Sequence, residues 1–322
     1  MHNVCRHRGS LVCDSGNSTG ASLVCPYHHW TYDLEGRLLA SPGVEIDDPA
    51  MFSLRRINVA EASGFIFVHL APGDPRRFES SEQLDEHLRA YQLDRARIAA
   101  TIDYRVAANW KVIFENNREC LHCGPNHPEY CRATFDLSRD AGVHQDRVVA
   151  QMERLRPILA RNGIDARRLG VSSAMTAGEF RLNHTPLIKG FITESLDGRP
   201  VAPPLGTLDT VDVGTARVTA FPNYWCHVSG DHAVTTRLLP VAAGMTDVRV
   251  TWLVHGDAVE GRDYDLTRLL PFWKNTSEQD WTICERVQQG VATSGYIPGP
   301  LSPVRESHVD HFLRWYLAEL RK

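Results

Sequence analysis

The chain has 322 residues, of which 43% are hydrophobic and 23% are charged, a composition typical of folded proteins with roughly two domains. The net charge of -4 provides no basic surface for nucleic acid or for an anionic membrane. No stretch reaches the ~18 apolar residues that cross a bilayer, and the first residues lack the apolar core of a signal peptide. We therefore expect a cytoplasmic protein with neither nucleic-acid nor membrane partners.

Residues 1–72 are predicted to form a small all-β domain. Runs of β-type residues at 22–25, 30–34 and 64–70 are separated by turn signals such as Ser41-Pro42-Gly43. The segment 71–75 contains two prolines and a glycine, which is typical of a linker.

Residues 73–322 are predicted to form a larger α+β domain. The expected elements are a helix at 80–91, a strand at 97–106, a helix at 109–123 that ends before Gly124-Pro125, strands at 215–228, 232–240 and 247–256, and helices at 263–292 and 305–321. Because strands and helices do not alternate as they do in βαβ units, we expect an antiparallel sheet flanked by helices.

Two Cys-His pairs lie close to the start of the chain. The composition includes 8 Cys and 15 His, and clustered Cys and His in a reducing cytoplasm indicate metal ligands before disulfides. Cys5 and His7 form the first pair, and Cys25 and His28 form the second after 17 intervening residues. Two loops that each supply a thiolate and an imidazole can hold a two-iron cluster in the Rieske arrangement. A Cys2His2 zinc site and four unrelated core residues are the alternatives.

A second group of candidate ligands contains His122 and His127. Five residues of helix would place their side chains about 140° apart, but the Gly124-Pro125 break would let the chain turn and bring His127 beside His122. One added carboxylate would complete a facial triad that leaves positions on Fe(II) open. Two hydrogen-bonded histidines at a helix end are the alternative. Cys120, Cys123, Cys226 and Cys284 are expected to be small buried residues.

The runs Cys5-Arg6-His7-Arg8-Gly9 and Cys25-Pro26-Tyr27-His28-His29-Trp30 resemble the Rieske domain of ring-hydroxylating-type oxygenase α subunits. Ser10 and Tyr27 stand where respiratory Rieske proteins carry a further Cys in each loop, so the oxygenase family is the better match. The resemblance implies a [2Fe-2S] cluster on Cys5, His7, Cys25 and His28, and a catalytic domain of the helix-grip type.

The same resemblance implies the remaining site residues. Asp280, in the helical segment 277–290, matches the carboxylate that joins His122 and His127 on the mononuclear Fe(II), and Glu285 is the next candidate, in a position that suits a structural role. Glu119 matches the acidic residue that conducts electrons from His7 or His28 of a neighbouring subunit. The implied partners are O2, a flavin and iron-sulfur reductase that draws on NAD(P)H, and two further copies in a homotrimer.

Within the family, the chain is similar to the quaternary-ammonium group of glycine betaine monooxygenase and stachydrine demethylase. The similarity lies in 115–127, 251–265, 296–300 and 312–316. It implies that O2 and two electrons hydroxylate an N-methyl group, and that the carbinolamine collapses to formaldehyde and the demethylated amine. Glu119 departs from the Asp that many arene dioxygenases carry, which counts against a simple arene dioxygenase.

Glycine betaine or a related betaine is therefore the expected substrate. Phe221, Tyr224 and Trp225 are candidates for an aromatic cage around a methylammonium group, although sheet core is an equally good explanation for each. Arg237 or Lys189 is expected to bind a betaine carboxylate. An aromatic or heteroaromatic ring-hydroxylating oxygenase is the alternative, and an iron-sulfur electron-transfer protein with a silent larger domain is the alternative from another class.

The first predicted ligand lies only four residues after Met1. Family members carry strand-rich sequence ahead of that cysteine, so the Rieske domain is expected to be truncated at its N-terminus. We expect the 322-residue chain, expressed alone, to hold its [2Fe-2S] cluster poorly.

Overall fold

The computed structural model describes residues 1–14, 16–17, 19–70, 81–135, 145–170 and 180–321. The chain forms two compact units, one of residues 1–61 and 66–79 and the other of residues 62–65 and 80–322. The predicted boundary between residues 72 and 73, and the predicted linker at 71–75, lie outside the described residues.

The N-terminal part of the chain is built from short strands. They are β1 (Leu23–Val24), β2 (Thr31–Tyr32), β3 (Leu38–Ala40), β4 (Asn58–Ala62) and β5 (Phe65–His69). Strands β1, β2 and β3 form an antiparallel sheet in that order, and β4 pairs with β5. Trp30, Tyr32 and Leu54 form the core of this part together with Cys5 and Cys25. The predicted runs at 22–25, 30–34 and 64–70 each contain one of these strands.

The larger unit combines one sheet with several helices. Its strands are β6 (Arg97–Val106), β7 (Phe180–Thr185), β8 (Thr215–Ala220), β9 (Tyr224–Val228), β10 (His232–Ala242) and β11 (Met245–Val254). Its helices are α1 (Ser81–Leu88), α2 (Trp110–Asn116), α3 (Cys123–Asn126), α4 (Pro128–Ala133), α5 (Gln145–Arg161), α6 (Leu266–Leu269), α7 (Pro271–Val291) and α8 (Ser307–Glu319). The strands pair antiparallel throughout, in the order β6-β11-β10-β9-β8-β7, so the predicted α+β architecture is confirmed.

The core of this unit lies between the sheet and α2, α7 and α8. Trp252 on β11 and Phe272 on α7 are fully buried, and Phe312 on α8 lies 4.7 Å from Phe114 on α2 between ring centroids. Each buried aromatic side chain contributes roughly 2–3 kcal/mol of transfer free energy. This packing fixes α7 against the sheet and so fixes the residues that α7 presents to the site described below.

Two elements end earlier than the sequence predicts. The helix predicted at 109–123 stops at Asn116, because two consecutive Asn residues favour helix ends over helix interiors, and Gly124-Pro125 falls inside the single-turn helix α3. The strand predicted at 215–228 is divided at 221–223, where Pro222 lacks the N–H that a continuous ladder needs. Helix α5 and strand β7 were not among the predicted elements.

Among the residues that the structure describes, no helix is both long and apolar enough to cross a membrane.

A glycine next to 3-10 helix Arg89–Tyr91 provides a test of the fold. Gly206 has a φ of +52°, and a Cβ there would lie 2.4 Å from the Ala90 carbonyl oxygen. We expect Gly206→Ala to lower the free energy of unfolding by about 2 kcal/mol or more, because both the backbone angle and the contact are unfavourable.

Urea denaturation followed by circular dichroism measures this change. Gly244→Ala is the matched control, since a Cβ at Gly244 meets nothing within 4 Å, and it should change stability by less than about 0.5 kcal/mol. Equal stability of the two variants would contradict the packing at Gly206.

Two candidate metal sites and the adjoining cavity

The two Cys-His loops of the N-terminal unit have the same backbone hydrogen bonding. The Cys5 N–H donates to the Ser10 carbonyl oxygen at 2.8 Å, and the Cys5 carbonyl oxygen accepts the Gly9 N–H at 3.0 Å. Cys25 does the same with Trp30 O and His29 N–H, again at 2.8 and 3.0 Å. The residue four places after each cysteine has a positive φ, +80° at Gly9 and +58° at His29. The loops are therefore two copies of one local structure.

These loops present two sulfurs and two imidazoles as potential ligands. Cys5 and Cys25 are 4% and 1% exposed, and the rings of His7 and His28 lie 4.6 Å apart between centroids. The Nδ1 atom of His7 is buried and has no hydrogen-bond partner among the residues that the structure describes, which is costly unless a ligand occupies it. Burial raises the pKa of Cys25, but hydrogen bonds from the Tyr27 and His28 backbone and from Cys5 outweigh it, so the pKa is lowered. A thiolate-rich site with an open imidazole nitrogen fits a Rieske cluster.

Tyr32 supports the first loop from the core. Its hydroxyl lies 3.2 Å from Cys5 Sγ and accepts the Arg6 N–H at 3.1 Å. Burial, and then the hydrogen bond to Cys5, raise the pKa of Tyr32 well above its ordinary value. The phenol therefore keeps its proton and is able to donate it to a Cys5 thiolate.

His122, His127 and Asp280 meet in the larger unit. His127 Nε2 lies 2.9 Å and His122 Nε2 lies 3.3 Å from Asp280 Oδ1, and the two imidazole rings are nearly perpendicular, at 88°. Adjacent ligands of an octahedral ion, each about 2.1 Å from the metal, lie about 3 Å apart. The spacing of these three side chains therefore fits a facial triad around one iron.

The other ring nitrogens are held by neighbouring side chains. His122 Nδ1 donates to Glu119 Oε1 at 2.5 Å, and His127 Nδ1 donates to Gln279 Oε1 at 2.7 Å. Outer hydrogen bonds of this kind fix which nitrogen faces a metal. Gln279 and Asp280 are neighbours on α7, so one turn of that helix positions both a ligand and the partner of another ligand.

The charges of these groups are strongly linked. Burial lowers the pKa of His122, but Asp280 and Glu119 outweigh it and raise the pKa to about 9. The pKa of His127 is also raised by Asp280 against the effect of burial. Burial raises the pKa of Asp280, yet its bonds to the two histidines produce a net lowering. A cation that binds between the three side chains replaces the protons that now join them.

A cavity of about 390 Å³ adjoins these three residues. Its lining includes residues of β7, β8 and β9 on the sheet side, together with His122, His127 and Asp280. The sheet wall consists of Arg181, Asn183, Thr185, Arg217, Val218, Thr219, Trp225 and His227. Of this wall, only Trp225 was predicted from the sequence, because no local pattern distinguishes a cavity-lining arginine from any other arginine on a strand.

Family models match both parts of the chain. The Rieske [2Fe-2S] domain model matches residues 1–49, and the model of the ring hydroxylating alpha subunit catalytic domain matches residues 93–322. The chain belongs to the ring-hydroxylating α subunits, the Rieske oxygenases. These oxidoreductases contain a Rieske [2Fe-2S] cluster and a mononuclear iron, so the predicted family and cofactors are confirmed.

Several relatives of known activity cover nearly all of the chain. The oxygenase subunit of glycine betaine monooxygenase from Pseudomonas aeruginosa is 37% identical over 325 residues, 98% of this chain and 73% of that protein. The same subunit from Chromohalobacter salexigens is 38% identical, over 98% of this chain and 71% of that protein. A crystal structure of the quaternary ammonium Rieske monooxygenase CntA with L-carnitine shares the fold, with a TM-score of 0.62 and 20% identity over 98% of this chain and 76% of that chain.

Among the predicted substrate-binding residues of this Rieske oxygenase, only Trp225 lines the cavity. Phe221 packs in the core between Phe114, Phe312 and Trp315, and half-buried Tyr224 packs against Phe65. Arg237 and Lys189 are exposed and do not line the cavity, so the expectation that either binds a substrate carboxylate is wrong. The sequence shows that both residues are cationic, but it does not show which face of a strand or loop points inward.

The cysteines also differ from expectation. Cys120 and Cys123, on either side of His122, are joined by a disulfide, although both were expected to be separate buried thiols. Cys226 and Cys284 are buried free thiols as expected. Glu285 accepts the Ala107 N–H at 2.9 Å, the structural role expected of it.

The hydroxyl of Tyr32 gives a prediction for the Rieske cluster. Hydrogen bonds to cluster sulfurs stabilise the reduced, more negative state. We expect Tyr32→Phe to lower the reduction potential by about 60 mV, the equivalent of one hydrogen bond worth ~1.4 kcal/mol for a one-electron couple.

A redox titration of the visible circular dichroism spectrum measures the potential. Tyr27→Phe is the matched control, because Tyr27 lies in the second loop and is 55% exposed. An unchanged potential in Tyr32→Phe would show that the hydroxyl does not act on the cluster.

Proposed function

We propose that this chain is the oxygenase component of a monooxygenase that N-demethylates glycine betaine or a related betaine. The observation that carries the proposal is the coincidence of an iron-type triad, facing a cavity of about 390 Å³, with 37% identity to a glycine betaine monooxygenase over 98% of the chain. The products would be formaldehyde and the demethylated amine.

The proposal assigns the ligands of both cofactors. Cys5, His7, Cys25 and His28 would hold the [2Fe-2S] cluster, and His122, His127 and Asp280 would hold the mononuclear iron. The donor sets fit, since the buried Nδ1 of His7 has no partner and the triad atoms lie 2.9 and 3.3 Å apart. When bound, the mononuclear iron supplies the activation of O2 that hydroxylation of a methyl group requires.

The protein's own residues would orient the reaction. Glu119 and Gln279 hold the Nδ1 atoms of the two histidines and so direct both Nε2 atoms to the point that Asp280 faces. Trp273, on the same helix as Asp280, lines the cavity, and its face would attract a methylammonium group by about 0.5–2 kcal/mol. This contact would place an N-methyl group beside the triad while the rest of the substrate extends toward the sheet.

The cavity disfavours the two alternatives. A neutral aromatic ring needs an apolar pocket, whereas this cavity contains Arg118, Arg181 and Arg217. A catalytically silent domain has no reason to bring a carboxylate and two imidazoles from distant parts of the chain to one buried point.

Electron delivery belongs to the same proposal. Glu119 would connect His122 to the Rieske histidine, His7 or His28, of a neighbouring copy in a homotrimer. A separate reductase would supply electrons from NAD(P)H. The homotrimer and the cytoplasmic location stay predictions from sequence.

The proposal is tested by measuring formaldehyde release from glycine betaine, with NADH, O2 and a competent reductase. Wild-type protein whose [2Fe-2S] cluster has been reconstituted with iron and sulfide should contain about three irons per chain and release formaldehyde. Asp280→Ala should lose the mononuclear iron and the activity, because removal of one of three protein ligands leaves an incomplete site, while the Rieske spectrum persists.

Glu278→Gln is the matched control on the same helix. Glu278 pairs with Lys274 at 2.9 Å and does not belong to the triad, so its variant should keep both iron centres and most activity. No formaldehyde from any betaine would refute the substrate assignment. Equal iron in Asp280→Ala and wild type would refute the ligand assignment.

The role of Glu119 gives a separate prediction. In Glu119→Ala both iron centres should remain, but a chemically reduced sample mixed with O2 and betaine should form product about 100-fold more slowly, as expected when an outer hydrogen-bond partner of a ligand is lost.

Rapid-quench measurement of the first turnover checks this rate. Glu153→Gln, on the exposed face of α5, should leave it unchanged. A first turnover of Glu119→Ala at the wild-type rate would exclude Glu119 from the electron path.

A further inference from the structure

The cavity contains more buried positive charge than the described residues neutralise. Arg118 is 8% exposed, and the Nε atoms of Arg118 and Arg181 are buried without a hydrogen-bond partner. Within the described ranges, neither arginine forms an ion pair with a carboxylate. Because buried charges are normally paired, the guanidinium groups of Arg118 and Arg181 at the wall of the cavity can bind an anion.

The strand register places Arg181 and Arg217 on one face of the sheet. Arg181 on β7 pairs with Thr219 on β8, and Asn183 pairs with Arg217. Arg217 is therefore the diagonal neighbour of Arg181, at a typical separation of about 7–8 Å. Long side chains at this spacing can reach one small anion between them.

Arg118 approaches the same point from the loop after α2. Its guanidinium donates to Thr219 Oγ1 at 2.7 Å and to the Asn117 side chain, both neutral acceptors. Since Thr219 is also the cross-strand partner of Arg181, the three guanidinium groups surround one region of β8. Burial, and then the nearby guanidinium groups, lower the pKa of Arg118 and that of Arg181, the latter to about 10.

Arg217 differs from the other two because it already has an anionic partner. It donates to Tyr130 Oη at 2.9 Å and Thr185 Oγ1 at 3.1 Å, and it lies 3.4 Å from the buried carboxylate of Glu194. Glu194 therefore offsets one of the three positive charges. Arg118 and Arg181 keep an excess of positive charge that a carboxylate in the cavity would neutralise with charge-assisted hydrogen bonds.

We propose that Arg118 and Arg181, braced by Arg217, form the carboxylate-binding wall of this cavity and make the enzyme selective for betaines over quaternary ammonium compounds without a carboxylate. This inference rests on the proposed function and names the part of the substrate that the sheet wall recognises. Choline carries the same trimethylammonium group as glycine betaine, but it would leave the arginines unpaired and add a third unneutralised positive charge.

The test compares glycine betaine with its primary amide, which has the same shape and no negative charge. Calorimetric titration of the wild-type holoenzyme should show at least about 10-fold tighter binding of the acid, the usual effect of charged hydrogen bonds. In Arg181→Gln this preference should largely disappear.

Kinetics separate binding from chemistry. A carboxylate held equally in the ground and transition states affects KM and not kcat, so Arg181→Gln should raise KM for glycine betaine about 10- to 100-fold with kcat within about threefold. Arg181→Lys should restore part of the loss. Arg237→Gln is the matched control, since Arg237 is exposed outside the cavity, and it should match wild type.

The inference is overturned if wild-type protein binds acid and amide equally, or if Arg181→Gln and Arg118→Gln both keep the wild-type preference. The comparison of acid and amide binding by wild-type protein tests the inference even if a variant fails to fold. Absence of formaldehyde from glycine betaine would refute the proposed function alone, because acid and amide binding is measured without turnover.

Discussion

The hydrogen bonds from His122 and His127 to Asp280 hold the larger unit's site together. They join a loop near α3 to a helix 153 residues further along the chain, and all three side chains are largely removed from water. Two imidazoles and a carboxylate at a buried position stabilise one another. Removal of any one of them would leave the charge of the others buried and unpaired. These contacts depend in turn on the aromatic packing of α7 against the sheet, because that packing fixes the position of Asp280.

The two candidate metal sites use opposite ring nitrogens. In the larger unit the Nδ1 atoms of His122 and His127 are held by Glu119 and Gln279, which leaves Nε2 for a metal. In the Rieske loops the buried Nδ1 of His7 is the atom without a partner. In the triad, side chains from neighbouring elements determine which nitrogen is open. In the Rieske loops, the ligand positions are set by tight backbone turns with a positive φ at Gly9 and His29.

Features set by local spacing could be predicted from the sequence, whereas features that depend on the sheet could not. The Cys-His loops, the proximity of His122 to His127 and most elements of the α+β fold follow from turn signals and periodicity within short windows. The arginine wall could not be found this way, because the pairing of β7 with β8 brings Arg181 beside Thr219, and Arg118 reaches Thr219 from the loop after α2. Alternation within β7 does place Arg181 and Asn183 on one face, but no local pattern shows that this face lines a cavity.

The charges around the cavity determine how a zwitterion would lie in it. With Fe(II) on Asp280 and Glu119 behind His122, the triad side of the cavity would be close to neutral, so it would offer a methylammonium group little net attraction beyond the face of Trp273 on α7. The sheet side, by contrast, carries the unneutralised charge of Arg118 and Arg181. A bound betaine would therefore be oriented by its carboxylate at the sheet, and its methylammonium group would lie toward the triad.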